Sequence, residues 1–242
     1  MPAWADPSDP LPSVQWPLPP LQEPDLRQSD LRESSPLLRL GVMASGEGSN
    51  FEALVEACRQ GRPAAEVALL VVNNPGCGAA LRAERLGIPC RTLDHRQQPS
   101  REALDRALIE AFREAGVELV VMAGWMRIVT PLLIAAYPER LVNIHPSLLP
   151  SFRGMDAIGQ SLAAGVRLTG CTAHLVSEEV DAGRILVQAA VPVLDSDDHD
   201  SLATRIHAQE HRILPLAVAL AAKRLASGTD GAAALQGPAP QG

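Results

Sequence analysis

Apolar residues along this chain fall into short runs that alternate with stretches of helical spacing. Leu37 to Ser45 is an apolar run entering a Gly-rich turn, and Phe51 to Arg59 continues with helical spacing, so the first unit reads strand, loop, helix. Glu66 to Asn74 predicts a second strand, Gly78 to Leu86 a helix closed by Gly87, and Cys90 to Leu93 a short strand. Ser100 caps an amphipathic helix that runs to Ala115 and is stopped by Gly116. Strand Leu119 to Gly124, a helix near Pro131 to Tyr137, strand Leu141 to His145 and a helix around Asp156 to Ala164 follow. Two β-rich stretches, Gly170 to Val176 and Arg184 to Val193, precede a final helix over about Ser201 to Leu225. Strands and helices alternating at this spacing predict an α/β fold, a doubly wound and mostly parallel sheet covered on both faces. No helix separates the last two β stretches, so at least one of them should run antiparallel.

The pattern fails at both ends. Nine of the 21 prolines lie in the first 36 residues, beside six acids and two arginines, so 1–36 reads as a disordered, Pro-rich acidic extension. Residues 227–242, rich in Gly, Ala and Pro, read as a flexible tail, which leaves 37–226 as one domain. The extension supplies −4 of the formal charge of −7, and the mildly acidic remainder argues against a nucleic-acid surface built on broad positive charge. There is no basic leader before an apolar run and no window of 18 uninterrupted apolar residues, so a cytoplasmic protein that does not enter a membrane is expected. Cys58, Cys77, Cys90 and Cys171 show no C-x-x-C pairing and read as small core residues.

The chemistry concentrates in a few loops. Asn143 and His145 are two apart on a strand, so they project from one face while Ile144 turns into the core. Pro146 cannot extend a central ladder, so the strand should stop where those polar groups emerge. A polar pair at the carboxyl end of a strand is where open α/β sheets place ligands. An amide N–H and an imidazolium N–H side by side suit a developing oxyanion. Asp181, 36 residues beyond His145, could keep that ring charged and oriented, although an acid in the Glu178 to Gly183 loop also fits plain solvated charge. Ser45-Gly46-Glu47-Gly48-Ser49-Asn50 joins the first strand to the first helix and reads either as a phosphate site or as a tight turn with a Ser/Asn cap. Phe51 stands where a dinucleotide fingerprint needs its third glycine, and no Gly-Lys-Ser/Thr follows. Lys223 is the only lysine and lies near the end of the last helix, so Schiff-base chemistry and a P-loop lysine are disfavoured. His207-Ala208-Gln209-Glu210-His211 matches the inverted zinc-protease pattern, but a further ligand would be needed and Ile213, Leu214, Leu216 and Val218 continue the helix as core positions. Substrate contact or helix packing is therefore favoured over zinc, and no metal is expected. His95, His174 and His199 show no partner spacing and read as structural.

Taken together, these segments, with Ala123-Gly124-Trp125-Met126-Arg127-Ile128, Asn143-Ile144-His145-Pro146-Ser147-Leu148-Leu149-Pro150 and Val180-Asp181-Ala182-Gly183, resemble the folate-dependent phosphoribosylglycinamide formyltransferases from about Leu38 to Ala222. The Asn-x-His-Pro-Ser run and distant Asp are shared with methionyl-tRNA formyltransferases and formyltetrahydrofolate deformylases, whereas the Gly-x-Gly-Ser-Asn loop selects the glycinamide branch. The resemblance implies a Rossmann-like formyltransferase fold and direct transfer from 10-formyltetrahydrofolate, a co-substrate, to the amine of the ribonucleotide. By it, Asn143, His145 and Asp181 are catalytic, and Gly48, Ser49, Asn50, His207, Ala208, Gln209 and Glu210 hold the ribonucleotide. Arg101, Met126, Arg127, Ile128, Val129 and Asn143 line the folate site, with Ser177, Glu178, Glu179, Val180 and Asp181. The implied partners are small-molecule substrates, with no nucleic acid and no membrane, for a monomer or homodimer. A deformylase, passing the formyl group to water, and a formyltransferase for another amine are the competing readings. Arg153 and Arg184 depart from the family pattern, which has a Pro-Gly turn and a proline at those places.

Overall fold

In the computed structural model the described residues are 37–227, so the acidic extension and all but the first residue of the expected tail lie outside them. Seven strands form one sheet in the order β3-β2-β1-β4-β5-β6-β7. The strands are β1 Leu38–Ala44, β2 Ala65–Val72, β3 Cys90–Thr92, β4 Leu119–Met122, β5 Leu141–His145, β6 Leu168–Leu175 and β7 Ile185–Pro192. The helices are α1 Ser49–Arg59, α2 Gly78–Leu86, α3 Arg101–Glu114, α4 Pro131–Ala136, α5 Ala157–Ala163 and α6 His199–Ala226. β1 to β5 pair in parallel, while β6 is antiparallel to both β5 and β7. The reversal expected near the end of the chain is thus β6 alone, and β7 returns to the direction of the first five strands.

Chain order runs outward in both directions from the β1/β4 pair, which makes this the switch point of the doubly wound sheet. Two connections leaving adjacent strands to opposite faces open a crevice there. The strand period of two divides the core accordingly: Leu40, Val42 and Ala44 pack with α1 and α6 on one face, and Met43 packs with α3 and α4 on the other. α6 is the long brace of the first face, touching α1, α5 and β5 to β7. Its start is fixed by reciprocal hydrogen bonds between Asp198 and Ser201. Among the described residues no helix is long and apolar enough to cross a membrane.

Gly41 in β1 shows how tightly the second face is set. A Cβ on it would lie 2.6 Å from two Phe112 ring carbons and 2.9 Å from a Val117 methyl. Phe112 is fully buried and meets the Tyr137 ring edge-on at 6.4 Å, so it has nowhere to retreat. Gly41→Ala should therefore cost about 1–3 kcal/mol by overpacking. Urea unfolding should show a lower midpoint with an unchanged slope, and adding Phe112→Leu should recover part of the loss; an unchanged midpoint in the single variant would refute the packing argument.

Candidate active site

β5 ends at His145, as Pro146 requires, and delivers Asn143 and His145 to one side of the sheet. Across the β5/β6 ladder Asn143 faces His174 and His145 faces Thr172, so β6 presents a second polar pair to the first. Thr172 fastens the loop that follows β5: its hydroxyl donates to the Ser147 carbonyl at 2.7 Å and accepts from Leu149 N–H at 3.1 Å. Gln188 on β7 adds N–H bonds to the Leu149 carbonyl and the Thr172 hydroxyl, both 2.9 Å.

His145 is 6% exposed. Its Nε2 donates to the Phe152 carbonyl at 2.8 Å, and its Nδ1 lies 3.4 Å from Asp181 Oδ2. Both neighbours are acceptors, so a ring carrying two N–H groups satisfies both. Asp181 Oδ2 also accepts Gly154 N–H at 2.9 Å, and Oδ1 lies 3.7 Å from His174 Nε2. His174 Nδ1 donates to the Leu175 carbonyl at 2.9 Å, leaving Nε2 3.1 Å from Asn143 Nδ2. Burial alone would raise the Asp181 pKa, but the His174 ring, the Gly154 N–H and the charges of His145 and His174 outweigh it, holding the carboxyl below its ordinary range.

Backbone geometry aims this carboxylate. Asp181 has φ 51°, a left-handed conformation that Asp tolerates better than most residues. A Cβ at Gly183 would fall 1.7 Å from the Leu175 carbonyl oxygen, so only glycine lets the loop fold this closely over the end of β6.

On the other side of the crevice, the turn after β1 runs into α1. Gly48, at φ 76°, is the N-cap and makes no side-chain cap; a Cβ there would stand 2.6 Å from Ala79 Cα. The Ser/Asn cap of the alternative tight-turn reading is therefore absent, and the first-turn N–H groups of α1 keep the open, positive end that favours an anion. Asn50 instead turns inward, donating from Nδ2 to Glu210 Oε2 at 2.7 Å while its Oδ1 is buried without a partner. Glu210 is 3% exposed, and desolvation pushes its pKa up against the opposing Asn50 N–H and the charges of His207 and His145. His207 and Ala208 are exposed and Gln209 half-buried one turn earlier on α6. His211 Nε2 is buried without a partner, and burial holds its pKa below the usual range. Among the described residues no group of three or more metal-ligating side chains converges.

Between these sites runs the connection from β4 to α4. Trp125 is buried, whereas Met126, Arg127 and Ile128 are exposed and Val129 is half-buried. Ser177 and the exposed Glu178, Glu179 and Val180 lead into Asp181, with the Ser177 hydroxyl donating to the Glu179 carbonyl at 2.9 Å. Arg153, one of the departures from the family pattern, ion-pairs with Glu179 at 2.5 Å and so ties the loop after β5 to the Asp181 loop. Arg101 is the exposed first residue of α3 and is not drawn into the His145 cluster.

Several contributors to the site carry little signal in the sequence. His174, expected to be structural, joins Asn143 to Asp181; the signal was Thr172 and His174 spaced two apart in a mostly apolar strand, mirroring Asn143 and His145. Gly154 acts through its backbone, which carries no side-chain signal. His95 and His199 do lie apart, at the Asn73 carbonyl (3.1 Å) and at Asp156 (3.4 Å). Cys90, expected in the core, is exposed, because β3 is an edge strand.

A polar strand end facing a buried His–Asp pair, beside an open helix start, on a doubly wound sheet, is the frame of a group-transfer enzyme. Residues 38–218 match the formyl transferase family, and the chain belongs to it. Within that family it stands with the phosphoribosylglycinamide formyltransferases. It is 42% identical over 180 residues to the phosphoribosylglycinamide formyltransferase of Bacillus subtilis (strain 168), which spans 73% of this chain and 91% of that protein. Glycinamide ribonucleotide transformylase 1 from Symbiobacterium toebii superposes with a TM-score of 0.76 at 44% identity, covering 78% of this chain and 89% of that one. The trifunctional purine biosynthetic protein adenosine-3 of Gallus gallus is 44% identical over 185 residues. That match takes in 76% of this chain but 18% of the relative, so the chain spans less than a fifth of that longer protein.

The lowered Asp181 pKa has a thermodynamic sign. A carboxyl depressed from an unfolded value of about 3.9 stabilises the fold above that pH, and the contribution is lost as pH falls through the folded value. Asp181→Asn should thus lower urea-unfolding stability at neutral pH by an amount that vanishes on acidification. A loss of the same size at about pH 7 and about pH 3 would contradict the assignment.

Proposed function

We propose that this chain transfers the formyl group of 10-formyltetrahydrofolate to the primary amine of N1-(5-phospho-D-ribosyl)glycinamide, giving the N-formyl product and tetrahydrofolate, as a cytoplasmic step of de novo purine (IMP) biosynthesis. The observation that carries it is the His145–Asp181 pair, 3.4 Å apart and shielded from solvent, at the end of the strand that bears Asn143. Family membership supports the formyl chemistry, and the uncapped start of α1 supports a phosphorylated acceptor.

In this reading the acceptor's phosphate sits on the N–H groups of Gly48, Ser49 and Asn50, needing no lysine. Its polar body meets His207, Ala208, Gln209 and Glu210, where the unpartnered Asn50 Oδ1 offers an acceptor for a substrate N–H or O–H. The folate lies against the apolar side chains of Met126, Ile128, Val129 and Val180, with Arg101, Arg127 and the Ser177 to Glu179 segment at its polar parts. Met126, Ile128 and Val180 are exposed apolar side chains of the kind that suits a flat ring system.

The acceptor's amine attacks the formyl carbon, and negative charge grows on the formyl oxygen. Asn143 Nδ2 and a His145 N–H donate to it; the ring exchanges the Phe152 carbonyl for the oxyanion, while Asp181 stabilises its positive charge. As the C–N bond to the folate breaks, the proton lost by the amine passes by water or His145 to the departing nitrogen. Asn143 then serves the oxyanion at the expense of its contact with His174, which remains to orient Asp181.

Two variants test the assignment of sites. Ser49→Asp places a negative charge where phosphate should lie and should raise the ribonucleotide KM at least about tenfold while leaving the folate KM nearly unchanged; equal damage to both would count against a phosphate site. His145→Ala should lower kcat/KM by roughly 10²-fold or more. Turnover surviving within a few-fold would end the oxyanion role.

A further inference from the structure

The Gly124 to Thr130 connection carries the exposed Met126, Arg127 and Ile128 without any helix or strand of its own to hold them. Its two ends are fastened instead. At the first, Ser45 N–H donates to the Gly124 carbonyl at 3.0 Å, and Met126 N–H donates to Ser45 Oγ at 2.9 Å. At the second, Thr130 N–H donates to Asp105 Oδ2 at 2.6 Å, across 25 residues of sequence.

Asp105 is an uncommon residue for its place. It lies on the inner side of α3, 2% exposed, with Leu104 and Leu108 among its buried helix neighbours. Burial pushes its pKa up, with Glu102 adding to the rise, while the Thr130 backbone and hydroxyl and Arg101 oppose it. Burying a carboxyl group is costly unless hydrogen bonds offset it, and here the Thr130 N–H supplies one. Helix α4 does not need it, because Thr130 Oγ1 already accepts Leu132 N–H as the N-cap. What the carboxylate adds is a fixed end for the exposed loop.

We infer that Asp105 is a positioning residue for the formyl donor, anchoring the 124–130 loop so that Met126, Arg127 and Ile128 meet the folate already in place. The inference rests on the proposed assignment of that loop to the donor. A loop that is ordered before binding loses less freedom when the ligand arrives, so its anchor governs donor affinity. The acceptor elements, α1 and the middle of α6, lie on the opposite face of the sheet and make no bond to Asp105.

Steady-state kinetics of the full chain, with hydrogen exchange at residues 125–130 measured with and without 10-formyltetrahydrofolate, tests this. Asp105→Ala should raise the donor KM about tenfold, leave the ribonucleotide KM within about twofold, and speed exchange in the loop. Asp105→Asn keeps an oxygen for the Thr130 N–H and should restore the donor KM to within about threefold of wild type. If Asp105→Ala does not fold, Asp105→Ser, too short to reach that N–H, carries the same expectation. An unchanged donor KM, or equal rises in both KM values, overturns the inference. If the donor fails to slow exchange at 125–130 in the wild-type protein, the assignment of the loop to the donor falls, and the inference with it; protection in wild type with an unchanged donor KM in the variant removes the Asp105 role alone.

Discussion

A carboxylate held against histidine, away from solvent, is the constraint around which this structure is organised. Asp181 loses hydration on burial, and nothing in its own loop compensates. It stays charged because three groups from three separate segments meet it: His145 from β5, His174 from β6 and the Gly154 N–H from the loop after β5. Each then has its own requirement. Gly183 has to be free of a side chain for the loop to come down over β6, and Thr172 and Gln188 have to fasten the Pro146 to Pro150 segment so that Gly154 arrives in register. The antiparallel β6 brings His174 directly across from Asn143.

The rest of the site follows from the switch point of the sheet. Ser45, at the end of β1, faces both ways: it begins the turn that leads to Gly48 and α1, and its backbone and hydroxyl hold Gly124 and Met126 after β4. The turn after β1 and the connection after β4 are thus referenced to one residue, next to the polar end of β5. The positive end of α1 and the apolar rim at Met126 and Ile128 are complementary in chemistry, one suited to an anion and the other to a flat ring. A reaction joining an anionic acceptor to a heteroaromatic donor fits that division.

Much of this was legible in the chain. Periodicity located the seven strands and six α-helices of the described residues to within a few residues, because nearly all of them are amphipathic or buried in a way their length allows, and Pro146 marked the end of β5. Asn143 and His145 could be read because strand geometry fixes which side chains share a face. What escaped reading depends on long-range packing or on backbone. Asp105 is one acid on a charged helix until its contact with Thr130 is seen; His174 looks structural until β6 is registered against β5; and the Gly154 amide has no letter of its own. The inward turn of Asn50 toward Glu210, 160 residues away, likewise belongs to the tertiary fold rather than to any local pattern. Cys90 shows the same limit in reverse, since only the sheet order reveals that its strand lies at an edge.

The group that receives the formyl carbon separates a transferase from a hydrolase. The direct measurement is tetrahydrofolate release from 10-formyltetrahydrofolate, followed by folate absorbance, with and without the glycinamide ribonucleotide. Release that appears only when the ribonucleotide is present is the result predicted here. Release of equal rate without it would mean that water is the acceptor and that the open start of α1 does not serve the reaction.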